Sequence, residues 1–338
     1  MNDVTNNYLQ LAEKVLLEYT ISPKNLRILQ SKGLKTLWKL IYMNTPLCLK
    51  RLNQSLEQAI FSVNAQIYIF NNGGNVPKIY CNSKGDPITE YNGQLFVLYS
   101  WIDGRDMNMD EPKDLALAMQ ALSKFHSNSV GYEPPTNAII SSKLEKWPKQ
   151  YESMKTRMLK IKELCIQNPN NTSYSAYIKN VDSIDEICDK TINIINNSPY
   201  ATLCNIKLKE SCLCHQDYGT GNVMLSKEGA IVIDLDSVTY DLPTRDLRKI
   251  IGKRMMKYND FSINNFKTIL KFYEINNTLS PNQIEVLKID LMFPHWFFGL
   301  IKGIHKSNEV INSNKIYSIS KFEQNKFSVL QKWIIGGQ

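Results

Sequence analysis

One stretch constrains this chain more than any other: His215-Gln216-Asp217-Tyr218-Gly219-Thr220-Gly221-Asn222, followed shortly by Ile231-Val232-Ile233-Asp234-Leu235-Asp236. An Asp and an Asn stand five positions apart on a segment whose glycines mark a loop. A short polar turn, Ser226-Lys227-Glu228-Gly229, leads into an apolar β-type run that ends in a carboxylate. Phosphoryl transfer needs such a set: one carboxylate to orient or deprotonate the acceptor hydroxyl, and two oxygen ligands to hold Mg²⁺ on the phosphates. A loop lets the Asp and Asn aim at one point, while a buried strand fixes the second carboxylate beside them. Asp236, two residues further along the same strand, falls on the same face as Asp234.

At 338 residues the chain exceeds one simple core and suits two lobes or domains. Its 43% hydrophobic and 21% charged residues are the balance of a soluble globular protein, and no apolar run is long enough to span a bilayer. The opening MNDVTNNYLQLAEK is polar and does not read as a signal peptide, so an intracellular protein is expected. The net charge of +8 comes from scattered Lys and Arg, with no nucleic-acid-binding arm. A basic enzyme that takes a polyanionic nucleotide accounts for it, as does a solvated surface without functional meaning. Seven cysteines, odd in number and dispersed, argue for reduced thiols. Cys212-Leu213-Cys214-His215 has no second ligand cluster to complete a zinc site, and reads as strand leading into the loop.

Along the chain, Leu9, Leu11, Ala12, Val15, Leu16 and Tyr19 give residues 5–19 one helical face, broken at Ser22-Pro23. Strand-like segments follow at about 26–30, 36–42 and 46–52. The first turn, Ser31-Lys32-Gly33-Leu34-Lys35, holds a single glycine and is a thin phosphate loop or a plain hairpin. Residues 54–71 read as a helix ended by Asn-Asn-Gly-Gly-Asn, and 76–80 and 94–101 as strands, with Asp86-Pro87 and Asn92-Gly93 as turns. Helices are expected over 111–126, where His126 ends the helix, and over 142–166 and 174–198. Another helix follows Tyr240–Arg248, an aromatic-rich helical stretch spans 282–305, and the tail is helical from 315 to about 335.

The string from Leu213 to Arg248, LCHQDYGTGNVMLSKEGAIVIDLDSVTYDLPTRDLR, resembles the catalytic and metal-binding segments of the aminoglycoside phosphotransferase/choline kinase branch of the protein-kinase-like fold. It is closer still to the CotS-type spore coat proteins of endospore-forming bacteria. The resemblance implies an α+β, bilobal protein-kinase-like fold. A small, mostly antiparallel β N-lobe with one helix would occupy residues 1–102, and a larger, mainly helical C-lobe residues 103–338. It implies that Asp217 positions the acceptor hydroxyl and takes its proton, with His215 in the same loop. Asn222 and Asp234 become ligands of Mg²⁺, with Asp236 assisting at the metal or in a loop contact. Lys50, in Cys48-Leu49-Lys50-Arg51-Leu52 on the third strand, would pair the α/β-phosphates of ATP. Backbone near Tyr99–Trp101, within LFVLYSWIDG, would meet the adenine edge, and Asp246 would steady the catalytic loop. One position departs from the pattern. Where the N-lobe helix should offer a carboxylate to Lys50 this chain has Gln66, which can hydrogen-bond the amine but cannot offset its charge.

Three functions compete. The first is an ATP/Mg²⁺-dependent phosphotransferase acting on a hydroxyl of a small molecule or saccharide. The second is a catalytically weak or inactive scaffold protein of the spore coat, which the thin phosphate loop suggests. The third is a kinase of coat proteins. Expected partners are a nucleotide, an unidentified hydroxyl-bearing acceptor and other spore coat proteins, with neither nucleic acid nor membrane. Synthesis in the mother-cell cytoplasm and assembly into the coat follow from the resemblance. Fold analogy does not supply the acceptor.

Overall fold

The computed structural model describes residues 2–32, 35–168, 171–303 and 311–335. Residues 33–34, the centre of the turn expected as a thin phosphate loop or a plain hairpin, lie outside this set, as do 169–170 in the Asn-rich link. Packing divides the chain into two units. The first comprises Met1–Ser142, Leu208–Tyr240 and Phe272–Asn277, and the second Lys143–Lys207, Asp241–Lys271 and Thr278–Gln338.

The first unit begins with α1 (Asn2–Leu17), followed by β1 (Lys24–Lys32), β2 (Lys35–Tyr42) and β3 (Thr45–Arg51). The apolar face read from the sequence is the buried one. Ala12, Val15 and Leu16 of α1, with Tyr19 and Ile21, pack on Trp38, Leu40, Leu47 and Leu49 of the sheet. Strand alternation then decides the site: with Leu47 and Leu49 turned to that core, Cys48 and Lys50 face the other way and line a cavity. Next come α2 (Leu56–Asn71), β4 (Ile79–Tyr80), β5 (Thr89–Tyr91) and β6 (Gln94–Ser100). A capping box starts α2, in which the Ser55 side chain accepts from the Gln58 backbone and the Gln58 side chain from that of Ser55. Ala59 and Val63 seat the helix on Leu52, Ile79, Leu95 and Val97. The sheet is antiparallel in the order β1-β2-β3-β6-β4, with β5 also on β6. The sequence does not announce β5. It is the other arm of a hairpin about Asn92-Gly93, whose φ angles of 50° and 69° are those of a tight two-residue turn.

After β6 the chain forms β7 (Gly104–Asp106) and α3 (Pro112–Ser129). The unit is completed by β8 (Leu213–Cys214), β9 (Val223–Ser226), β10 (Gly229–Val232) and β11 (Thr239–Tyr240). β7 pairs with the β9–β10 hairpin, and β8 pairs with β11. Gly104 is fixed by close approach, since a Cβ there would lie 2.5 Å from the Leu225 carbonyl oxygen. Arg105 reaches from β7 to α3, where both its terminal nitrogens bond the Asp114 carboxylate at 2.6 and 2.9 Å. His126, in the last turn of α3, is buried with Nδ1 2.7 Å from the Tyr273 hydroxyl.

The second unit is helical. It holds α4 (Trp147–Ile166), α5 (Thr172–Asn196), α6 (Tyr200–Cys204) and α7 (Thr244–Tyr258). Further on come α8 (Ile263–Tyr273), whose last two residues group with the first unit, then α9 (Pro281–Met292), α10 (His295–Ile301) and α11 (Ser313–Ile335). The aromatic stretch expected as one helix is broken at Phe293-Pro294 into α9 and α10, and its rings form core. Phe293 stacks on Tyr151 at 4.2 Å and Phe297 on Tyr177 at 5.7 Å between centroids. Buried charge staples the break. Asp290 accepts from Tyr151 (2.5 Å) and His295 (2.7 Å) and forms an ion pair with Arg248 (3.0 Å), while Glu323 accepts from the amides of Trp296 and Phe297 and pairs with Lys326. Such groups are tolerated inside a core because each is paired and hydrogen-bonded. Burial, reinforced by Arg248, depresses His295 to about 3, so the ring is neutral. No disulfide joins any of the seven cysteines, and among the described residues no helix is long and apolar enough to cross a membrane.

Candidate active site

Six residues singled out in the sequence, Lys50, Gln66, Tyr99, Trp101, Asn222 and Asp234, line one cavity of about 380 Å³ within the first unit. They come from β3, α2, the end of β6 and the two loops flanking the β9–β10 hairpin. Leu37, Ile102, Met224 and Ile233 supply apolar wall. Trp101 lies under the Lys39 ammonium, 4.0 Å from its ring centroid.

The loop from His215 to Asn222 is shaped by backbone in the left-handed region at Gln216 (φ 68°) and Gly221 (φ 92°). Its turn closes through the Asn222 amide on the Gly219 carbonyl at 3.0 Å. Two further bonds clasp this loop to the residue before Asp234. The Ile233 amide donates to the Asn222 carbonyl at 3.0 Å, and His215 Nε2–H donates to the Ile233 carbonyl at 2.9 Å. Tyr218 anchors the loop from below, its buried hydroxyl donating to Ala118 of α3 at 2.6 Å. The result puts Asn222 beside Asp217: Asn222 Nδ2 donates to the Asp217 carbonyl at 2.8 Å and to its carboxylate at 3.3 Å. Asp217 itself is exposed and His215 fully buried.

The expectation for Asp236 needs correction. β10 ends at Val232, Asp234 has a left-handed backbone (φ 61°), and Leu235–Ser237 form a 3₁₀ turn. Asp236 is therefore not on a strand with Asp234. The turn nevertheless brings both carboxylates to one amine: Lys50 Nζ lies 2.5 Å from Asp234 Oδ1 and 2.7 Å from Asp236 Oδ1. Burial of Lys50 works against its charge, but Asp236 and Asp234 outweigh it, and the ammonium's pKa lies above the usual lysine value. Burial also pushes the Cys48 thiol up to about 12 against the pull of Lys50, leaving it protonated, and raises the Tyr99 phenol well above its ordinary range.

Gln66 lines the cavity but gives its amide to the Pro77 carbonyl at 2.7 Å. Asp246 lies in the first turn of α7, buried, in the second unit. Sequence reasoning passed over Gln54. Its Nε2 donates to the Asp236 carbonyl at 2.7 Å, and its Oε1 accepts from Ser62 of α2 at 3.3 Å. Nothing local distinguishes it from any polar residue ahead of a helix cap.

Comparison with known proteins bears on this arrangement. Residues 18–329, from the end of α1 well into α11, match the family described as Spore coat putative kinase YutH. The chain is 23% identical over 328 residues to spore coat protein S of Bacillus subtilis (strain 168), a match covering 96% of this chain and 93% of that protein. Among solved structures it is similar to an aminoglycoside phosphotransferase from Alicyclobacillus acidocaldarius subsp. acidocaldarius DSM 446, with TM-score 0.76, 10% identity and 96% of each chain covered. It is also similar to the amicoumacin kinase hAmiN in complex with AMP-PNP, Ca²⁺ and Ami, with TM-score 0.66, 14% identity, and 94% of this chain and 93% of that one covered. At such identities the structural likeness shows the fold, an antiparallel sheet followed by a larger helical part in the kinase-like manner. The sequence match, running through both units and in line with the CotS-type resemblance, shows the family: this chain belongs to the YutH-type, kinase-like spore coat proteins.

Proposed function

We propose that this protein is an ATP- and Mg²⁺-dependent phosphotransferase of the spore coat that moves the γ-phosphate of ATP to a hydroxyl of a small molecule or saccharide. One observation carries the reading. Lys50, Asn222 and Asp234, far apart in sequence, line one cavity, and Asp217 is hydrogen-bonded to Asn222. The donor set suits Mg²⁺. Asp234 offers a carboxylate, and Asn222, whose amide nitrogen is spent on Asp217, offers its carbonyl oxygen; these are hard oxygen ligands. Held by these two residues, Mg²⁺ would offset the negative charge that develops on the transferring phosphate.

The chain's own groups do the rest. Lys50 sets its ammonium against the α/β-phosphates, and backbone near Tyr99–Trp101 meets the adenine edge, with Leu37 and Ile233 as apolar neighbours of the ring. Asp217 orients the acceptor hydroxyl and takes its proton as the new oxygen–phosphorus bond forms and the bond to ADP breaks. His215 braces the loop through the Ile233 carbonyl rather than moving protons. Asp246 keeps the loop-steadying role that the resemblance implies. Residues 1–102 serve as the nucleotide-binding lobe and 103–338 carry the catalytic loop and the acceptor pocket. The structurally similar kinase hAmiN, solved in complex with AMP-PNP, Ca²⁺ and Ami, supports a nucleotide and a second small molecule as ligands. Synthesis takes place in the mother cell, with assembly into the coat among other coat proteins.

One observation favours the scaffold reading: the cavity's helix offers Gln66, bound to Pro77, where a kinase-like helix offers a carboxylate. The test is ATP labelled in its γ-phosphate, incubated with hydroxylated small molecules, saccharides and coat proteins. Label should move to a small molecule or saccharide, and Asp217→Asn should lower turnover by a factor on the order of 10² or more while nucleotide still binds. Unchanged turnover in that variant contradicts the assignment. Label on protein supports the coat-kinase alternative instead.

A further inference from the structure

We infer that Asp236 is the positioning counterion of Lys50, supplying the carboxylate that α2 lacks, and is not a metal ligand. The inference rests on the phosphotransferase reading and adds a role which that reading leaves open. Two carboxylates meet the Lys50 ammonium, and they differ in setting. The Asp234 side chain is 39% exposed and lines the cavity, whereas the Asp236 side chain is only 12% exposed, as is that of Lys50. A cation seated on phosphates in the cavity is within the province of Asp234. Once Asp234 serves such a cation, Lys50 needs another carboxylate, because a buried ammonium without a countercharge is strongly disfavoured. Asp236, 2.7 Å away, is that group.

Two further contacts support this. Gln66 is committed elsewhere, its amide donated to the Pro77 carbonyl. Asp236 is in turn fixed to α2: Gln54 donates to its carbonyl at 2.7 Å and accepts from Ser62, on α2, at 3.3 Å. In kinase-like folds a helix carboxylate both orients the lysine and ties the helix to the site. Here the turn at Leu235–Ser237 does the first through Asp236 and the second through Gln54 and Ser62.

The test measures AMP-PNP affinity at saturating Mg²⁺, and the Mg²⁺ needed for half-saturation at fixed AMP-PNP. It compares the natural protein, Asp236→Asn, and Asp236→Asn combined with Gln66→Glu, each shown folded by circular dichroism. Asp236→Asn should weaken AMP-PNP about tenfold or more without raising the Mg²⁺ requirement. The carboxylate that Gln66→Glu introduces on α2 cannot donate to the Pro77 carbonyl, so it should turn to Lys50 and restore most of the loss. A raised Mg²⁺ requirement in Asp236→Asn, unchanged affinity, or no restoration overturns the inference. Failure of the natural protein to bind AMP-PNP overturns the phosphotransferase reading instead. The pairing is then read separately, from acylation of Lys50 by an amine-reactive ester at fixed pH. Faster labelling in Asp236→Asn than in Asp234→Asn supports it, and equal or reversed rates overturn it.

Discussion

Buried ionisable side chains in this protein fall into two kinds with opposite consequences for stability. Asp290 meets Arg248, His295 and Tyr151, and although burial alone would raise its pKa, Arg248 and His295 hold it well below the usual carboxylate range. Its contribution is present at neutral pH and lost only in strong acid. At Asp241 burial prevails over the opposing pull of Arg245, and the carboxyl is raised to about 7 although Trp147 Nε1 donates to both oxygens at 3.0 and 3.3 Å. A folded-state pKa above the unfolded value of 3.8 means the folded chain holds this proton more tightly. The group's contribution is therefore greatest at low pH, falls as pH rises from about 4 to about 7, and is flat beyond. Over that window the loss is on the order of a few kcal/mol. Asp241→Asn should flatten the dependence, so that its thermal midpoint falls less than the natural protein's between pH 5 and pH 8. An unchanged slope in the variant contradicts this account.

At the scale of elements, close approach of helices fixes residues that carry no chemistry. Gly252 lies in α7 where a Cβ would come 1.9 Å from Trp296 Cη2, and Trp296 is held in turn by Arg248 and Lys326 over its ring. Gly252→Ala should destabilise the protein by about 1–3 kcal/mol, read as a lower denaturant midpoint with an unchanged slope. What is legible in the sequence follows the same division between local and long-range causes. β2, β3 and α2 can be read because each carries its own apolar period, and the Asp217–Asn222 spacing because it lies within one loop. β5 (Thr-Glu-Tyr) and β7 (Gly-Arg-Asp) have no such period and owe their form to the strands they pair with, β6 and β9. Asp236 reads as a strand residue because the left-handed backbone at Asp234 leaves no mark in a period-two pattern. The absence of a helix carboxylate at Gln66 is visible in the sequence. The pairing of Lys50 with Asp234 across 184 positions, and with Asp236, depends on the folded chain.

For the molecule as a whole, the division into two units sharpens the functional claim. Every residue lining the candidate nucleotide cavity belongs to the first unit, although that unit is assembled from separated stretches of chain. The central claim is that this cavity binds ATP with Mg²⁺. A ligand that binds only the folded state stabilises it by roughly 3 kcal/mol at a hundredfold excess over its dissociation constant, and so raises the unfolding midpoint. The most direct measurement is thermal unfolding of the purified protein with ATP, Mg²⁺, both or neither, beside Asp234→Ala. The account predicts a rise that requires ATP and metal together and disappears in Asp234→Ala. No shift at millimolar ATP, or an equal shift in the variant, would contradict it.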